Sequence, residues 1–177
     1  GYADGTPFRP IGTTIYEWSF QPDPKQQQQT LESLKASPFN KARFLVVPPW
    51  NKDYIEGPRA ITCFPFEGNS KENWDFSRLN PEFFRRLEQC VTELGNIGIQ
   101  AELILFRPYD DGKWGFDTMD MATNERFVRY VIARFAAYRH VWWSLANENS
   151  FMEHLTDEHW DHLFQVVQLY DPYNHLC

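Results

Sequence analysis

At residues 141–145 the chain runs Val141-Trp142-Trp143-Ser144-Leu145, and past Ala146 it sets an amide beside a carboxylate, Asn147-Glu148. An apolar run of this length reads as a buried strand, and a strand that stops at a polar pair opens into a loop able to line a cleft. A glutamate held there against tryptophan would have its pKa raised by desolvation. Such a carboxylic acid can hand a proton to a glycosidic oxygen. The same pair also fits an ordinary polar turn, because asparagine is common where strands end. The rest of the chain has to separate the two readings.

Acid-base hydrolysis of a glycoside needs a second carboxylate, about 5–5.5 Å away for a retaining reaction and about 6.5–9.5 Å for an inverting one. Glu17, Asp53, Asp110 and Asp111 are the candidates by position, although each also suits a hydrogen-bonding or turn role. Trp18, Trp50 and Trp143 are candidate platforms for a sugar ring. Trp50 is favoured because it follows Pro48-Pro49 into a loop, while core packing is the alternative for all three. His154, His159 and His162 lie close together, the last two at a helical spacing that can hold zinc. A solvated helix face explains them more simply, since the carboxylate pattern of an open metal site is missing. No metal and no cofactor is expected.

Composition narrows the partners. With 42% hydrophobic residues in 177, the chain can bury one real core, so it is not disordered. Its seven Trp, eight Tyr and fifteen Phe exceed what such a core needs, which leaves aromatic faces for a cleft. A net charge of -7 without a Lys/Arg run argues against nucleic acid and against anionic membrane surfaces. A neutral saccharide fits. No stretch reaches transmembrane length, and the first residues lack a basic and apolar leader, so localisation stays open. Cys63, Cys90 and Cys177 have no metal-type spacing, and an odd number cannot all pair within one chain.

Positioning these residues requires strands, and strand-like runs alternate with helical patterns along the chain. Residues 8–16 read as a strand, and Asp23-Pro24 caps a helix over residues 25–36. A nearly unbroken apolar strand follows at 42–47, then a long polar and aromatic loop from 48 to 79, of a length that is usually functional. Asn80-Pro81 starts a second helix, closed by Gly95 and Gly98, before a strand at 99–106. A third helix is expected near 124–138, the fourth strand at 141–145, and a fourth helix from Thr156 to Tyr170. His175-Leu176-Cys177 then reads as the onset of a fifth strand.

Strand then helix, four times, implies parallel strands with right-handed crossovers, an α/β protein. A doubly wound sheet would carry a Gly-rich phosphate loop after the first strand, and Thr14-Ile15-Tyr16-Glu17-Trp18 is not one. A (β/α)8 TIM-type barrel instead gathers its chemistry at the C-terminal strand ends. Each end here does carry polar and aromatic groups: Tyr16, Glu17 and Trp18; Trp50, Asn51 and Asp53; Arg107, Tyr109 and Asp110; Asn147 and Glu148.

Asp4-Gly5-Thr6-Pro7-Phe8 with Ile11-Gly12-Thr13-Thr14, Trp74-Asp75-Phe76 with Asn80-Pro81-Glu82-Phe83-Phe84, Leu103-Ile104-Leu105-Phe106 with Pro108-Tyr109-Asp110, and Trp142 through Glu148 together resemble one family. It is the apiosidase-like group of glycoside hydrolases, similar to the clan A (β/α)8 retaining glycosidases. The resemblance spans nearly the whole chain. It implies a barrel of which residues 1–177 are the N-terminal half, truncated at both ends and holding about the first four β/α units. It implies Glu148 as the acid/base, Asn147 bonding the sugar 2-hydroxyl, and a nucleophile on a later strand. Trp50, Trp18, Tyr109, Asp110, Arg107 and Trp143 are the remaining expected contacts with an oligo- or polysaccharide. The family carries a histidine where this sequence has Arg107, and Tyr-Asp after the glutamate where it has Asn149-Ser150. A non-catalytic carbohydrate-binding half-barrel, or a homodimer in which two halves close one barrel, are the alternatives.

Overall fold

A computed structural model describes residues 4–49, 57, 60–109 and 112–177. Four parallel strands, β1 (Gly12–Thr14), β2 (Lys41–Leu45), β5 (Gln100–Phe106) and β6 (Val141–Ala146), form one sheet in the order β1-β2-β5-β6. A doubly wound sheet reverses its strand order at a switch point. This sheet keeps the order of the chain, as a barrel wall does, and the doubly wound alternative falls.

The helices between the strands begin where the sequence supplies a cap. In α1 (Pro24–Lys35) the Asp23 carboxylate accepts from the Lys25 backbone N–H, and in α2 (Pro81–Asn96) Asn80 Oδ1 accepts from Glu82 N–H. Both caps are followed by proline, whose missing N–H would have no partner in a first turn. The third helix, α3 (Met121–Phe135), starts earlier than the periodicity suggests. Its cap is Asp120, which accepts from Thr123 N–H at 2.8 Å. In α4 (Asp157–Tyr170) a capping box does the same work, with His159 Nδ1 accepting from the Thr156 backbone N–H.

Register places alternate residues on opposite faces of the sheet. Ala42, Phe44, Ala101, Leu103, Val141 and Trp143 share one face and are all buried, the cover that packed helices provide. Lys41, Arg43, Glu102, Trp142 and Ser144 share the other, which is partly exposed. That second face corresponds to the inside of a barrel. It is ionic at the N-terminal end, where the Lys41 ammonium meets the Glu102 carboxylate, lies 4.6 Å from the Trp142 ring centroid, and leaves Arg43 Nε 3.5 Å from the same carboxylate.

The stretch expected as a loop holds a small antiparallel ribbon, β3 (Phe66–Glu67) and β4 (Asp75–Leu79). Gly68 permits its turn with φ of 123°, and Asn73 Oδ1 accepts from the Asn69 and Ser70 backbone N–H groups. Phe66 stacks on Phe76, Phe116 and Phe127, while Phe64 lies between Trp74 and Trp114. Phe64, Phe66, Trp74, Phe76, Trp114 and Phe116, among the aromatics that suggested a cleft lining, form this second layer of core with Phe127.

Beyond α4 the tail returns to the sheet. The Trp143 backbone N–H donates to Leu176 O at 2.8 Å, the first rung expected of a fifth strand. Asp171 anchors it. Its buried carboxylate accepts from Trp143 Nε1 (2.8 Å), Tyr173 N–H (3.0 Å) and His175 N–H (2.8 Å), and pairs with His175 Nδ1 at 3.0 Å. Burial pushes the Asp171 pKa up. The hydrogen bonds from Trp143, Tyr173 and His175 outweigh it and hold the carboxyl below its usual range.

Candidate functional site

Three strands deliver polar side chains to a common edge at their C-terminal ends. Tyr16 follows β1, Arg107 and Tyr109 follow β5, and Asn147 and Glu148 follow β6. The Asn147 backbone N–H still donates to Phe106 O at 3.2 Å, so the ladder between β5 and β6 carries Asn147 rigidly into place. Glu148 then leaves the sheet in a left-handed conformation, φ 53° and ψ 55°. Non-glycine residues rarely adopt this, and such strain clusters where side chains must be aimed. Its carbonyl accepts from Phe151 N–H at 3.1 Å, closing the short 3-10 turn Asn149–Phe151.

Asn147 is the hub. The Tyr16 hydroxyl donates to Asn147 Oδ1 at 3.0 Å, while Asn147 Nδ2 donates to Tyr109 Oη at 3.1 Å and reaches Glu148 Oε2 at 3.3 Å. The amide turns its NH2 toward Glu148 and its oxygen toward the Tyr16 hydroxyl, which donates to it. A Tyr109 oxygen that accepts from Asn147 keeps its own proton to donate onward. The Arg107 guanidinium stands 5.7 Å from the Tyr109 ring centroid. The assembly can bind hydroxyl groups and present one carboxyl group to a ligand at the strand ends.

Of the residues expected from sequence, Glu148, Asn147, Tyr109 and Arg107 stand at this edge. Trp50 and Asp110 lie outside the described residues, as do Asn51, Asp53 and Asp111. Two platforms are corrected. Trp18 is 5% exposed, edge-on to Phe44 with its indole N–H donating to Gln27 O, and Trp143 is 3% exposed with its indole N–H on Asp171. Neither ring offers a face to a sugar. Glu148 is itself exposed rather than pressed against tryptophan; among the described residues its side-chain hydrogen bond is the one from Asn147.

The histidines have separate duties. His159 caps α4, and His162 Nε2 meets Glu125 Oε2 at 2.9 Å. Among the described residues no three His, Cys, Asp or Glu side chains group as a metal site. Sequence reasoning placed Tyr16 at a strand end without giving it a role, and it passed over Phe151, 63% exposed with its ring 6.1 Å from that of Tyr109. The only signal for either was closeness to a strand end.

Known structures share this architecture. A candidate glycoside hydrolase from Bacteroides vulgatus ATCC 8482 is 42% identical, with a TM-score of 0.89 over 100% of this chain and 36% of its own. A glycoside hydrolase family 5 protein from the same organism is 14% identical, with a TM-score of 0.70 over 99% of this chain and 36% of its own. An endo-1,4-beta-D-mannanase from Thermotoga petrophila RKU-1 is 16% identical, with a TM-score of 0.63 over 96% of this chain and 54% of its own. The chain therefore spans between about a third and a half of these proteins, a part of a TIM barrel. No curated protein matches it. The apiosidase-like catalytic domain family matches residues 1–177 throughout, and with strand order, strand-end site and sequence in agreement, the chain belongs to that family.

Proposed function

We propose that this chain supplies four β/α units and the acid/base carboxylate, Glu148, of a retaining glycoside hydrolase. The observation that carries the reading is the Asn147 amide, fixed between Tyr16 and Tyr109 and turned toward Glu148 at the end of β6. Family membership supports the reaction class, O-glycoside hydrolysis. In this reading Glu148 protonates the departing oxygen and then activates water, while Asn147 holds the sugar 2-hydroxyl. The nucleophilic carboxylate comes from the length of the relatives that this chain does not span. The substrate is a neutral saccharide, since strand-end carboxylates repel anionic groups.

In the intact protein, Glu148→Gln should lower turnover of substrates with poor leaving groups by about 10²–10⁴-fold. An activated aryl glycoside, which needs little protonation, should lose less. Near-wild-type hydrolysis of an unactivated glycan by the variant would overturn the assignment. A second reading, a saccharide-binding unit without hydrolysis, draws on one observation: the side chains that Asn147 holds are two tyrosines and a single carboxylate, Glu148. Saccharide binding without release of reducing sugar would favour it.

A further inference from the structure

Tyr16 reaches Asn147 from just past the short strand β1, and its backbone is pinned by β2: Arg43 O accepts from Ile15 N–H at 2.9 Å, and Tyr16 O from Leu45 N–H at 3.0 Å. Pinning the backbone still leaves the torsions of the side chain to be chosen. Arg43 supplies a reason for the choice. Its guanidinium carbon lies 6.0 Å from the Tyr16 ring centroid, within reach of a cation–π attraction. Glu102 stands opposite Arg43 in the parallel register, with its Oε1 3.5 Å from Arg43 Nε, while Lys41 meets the other carboxylate oxygen. A planar guanidinium can pair with a carboxylate and still lie against an aromatic ring. The line of contacts runs from Glu102 through Arg43, Tyr16 and Asn147 to Glu148.

We propose that Arg43 is a positioning residue: held on the Glu102 carboxylate, its guanidinium fixes the Tyr16 ring so that the hydroxyl meets Asn147 Oδ1. Neutralising Glu102 does not require Arg43, because Lys41 already pairs with that carboxylate. Every contact in the line joins residues of this chain to one another, whatever packs against the sheet elsewhere. Arg43 acts on Asn147 through Tyr16 and touches no reacting atom. Its effect on turnover rests on the glycosidase reading, whereas its effect on the Asn147 amide does not.

The test is a double-mutant cycle of Arg43→Met and Tyr16→Phe in the intact protein, with Arg43→Lys as the variant that keeps a cation. The first readout needs no substrate: the side-chain NH2 resonances of Asn147, seen with 15N-asparagine labelling and identified by their loss in Asn147→Asp. Tyr16→Phe should move them, Arg43→Met should move them the same way, Arg43→Lys should move them less, and Arg43→Met added to Tyr16→Phe should move them no further. Resonances unmoved by Arg43→Met, or moved equally in both backgrounds, would overturn the positioning role. The second readout is kcat/KM on 4-nitrophenyl β-D-glucoside, β-D-mannoside and their shared 2-deoxy analogue. Arg43→Met should cost about 2- to 5-fold on the 2-hydroxy substrates, little on the 2-deoxy one, and nothing more once Tyr16 is phenylalanine. An equal loss on all three, or the same loss in the Tyr16→Phe background, would make Arg43 a packing element and overturn the proposal. Wild type that hydrolyses none of them, with the amide responding as expected, would count against the glycosidase reading and uphold the positioning.

Discussion

Replacing Asp171 by asparagine removes one charge and almost no volume, which isolates the electrostatic part of the tail's attachment to the sheet. The carboxylate accepts three N–H groups, from Trp143, Tyr173 and His175, and contacts the His175 ring. Hydrogen bonds to an ionised acceptor contribute about 1.5–3 kcal/mol each. Asparagine keeps one accepting oxygen but turns an NH2 toward at least one of these donors, so the expected cost is about 2–4 kcal/mol. At 2–4 °C per kcal/mol for a chain of this size, the melting temperature at pH 7 should fall by roughly 5–15 °C.

The pH dependence gives a second check on Asp171. Its folded pKa is depressed, so its contribution is fully present above the unfolded value of about 3.9 and is lost as pH falls from there through the folded value. Wild type and Asp171→Asn should therefore differ most above about pH 5 and converge in acid. Near-ultraviolet circular dichroism, which senses the Trp143 ring, follows both. A variant melting within 2 °C of wild type at pH 7, or a gap that does not narrow in acid, would refute the reasoning.

Tyr16→Phe deletes the donor to Asn147 Oδ1; with Asn147 in its proposed contact with the sugar 2-hydroxyl, the intact protein should lose about 3- to 30-fold in kcat/KM on 2-hydroxy glycosides and far less on 2-deoxy analogues, measured by steady-state kinetics. Gly68→Ala meets both a φ of +123° and a Cβ position 2.6 Å from Asn73 O and 2.8 Å from the Trp74 ring, so chemical denaturation should register about 2–4 kcal/mol of destabilisation. Burial pushes the Cys90 thiol up to about 12, so a thiol reagent at pH 8 should leave Cys90 unlabelled in the native protein and label it after denaturation, by peptide mass.

The alternation of strands and helices was legible because caps and periods coincide: Asp23-Pro24 and Asn80-Pro81 mark starts, and Val141 through Leu145 is too apolar for a surface. The ribbon was not legible. Phe66 and Phe76 sit in a polar stretch, and only the Gly68 turn and the contacts with Phe116 and Phe127, far along the chain, make them a layer of core. Strand alternation tells that Trp142 and Trp143 point opposite ways, but it cannot tell which of them meets helices. That follows from the pairing with Glu102 and Leu103. The Asn147 network lay further out of reach, because it joins residues 131 and 38 positions apart that only the ordered sheet brings together.

The left-handed backbone at Glu148 sets the needs of folding against those of chemistry at one residue. Glycine would adopt φ 53° without the penalty of about 1 kcal/mol that a Cβ atom incurs there. Stability taken alone therefore favours erasing the carboxylate. A library of variants sorted only for resistance to heat should enrich Glu148→Gly, and under the proposed acid/base role directed evolution of this scaffold would have to score hydrolysis in every round to keep the carboxylate.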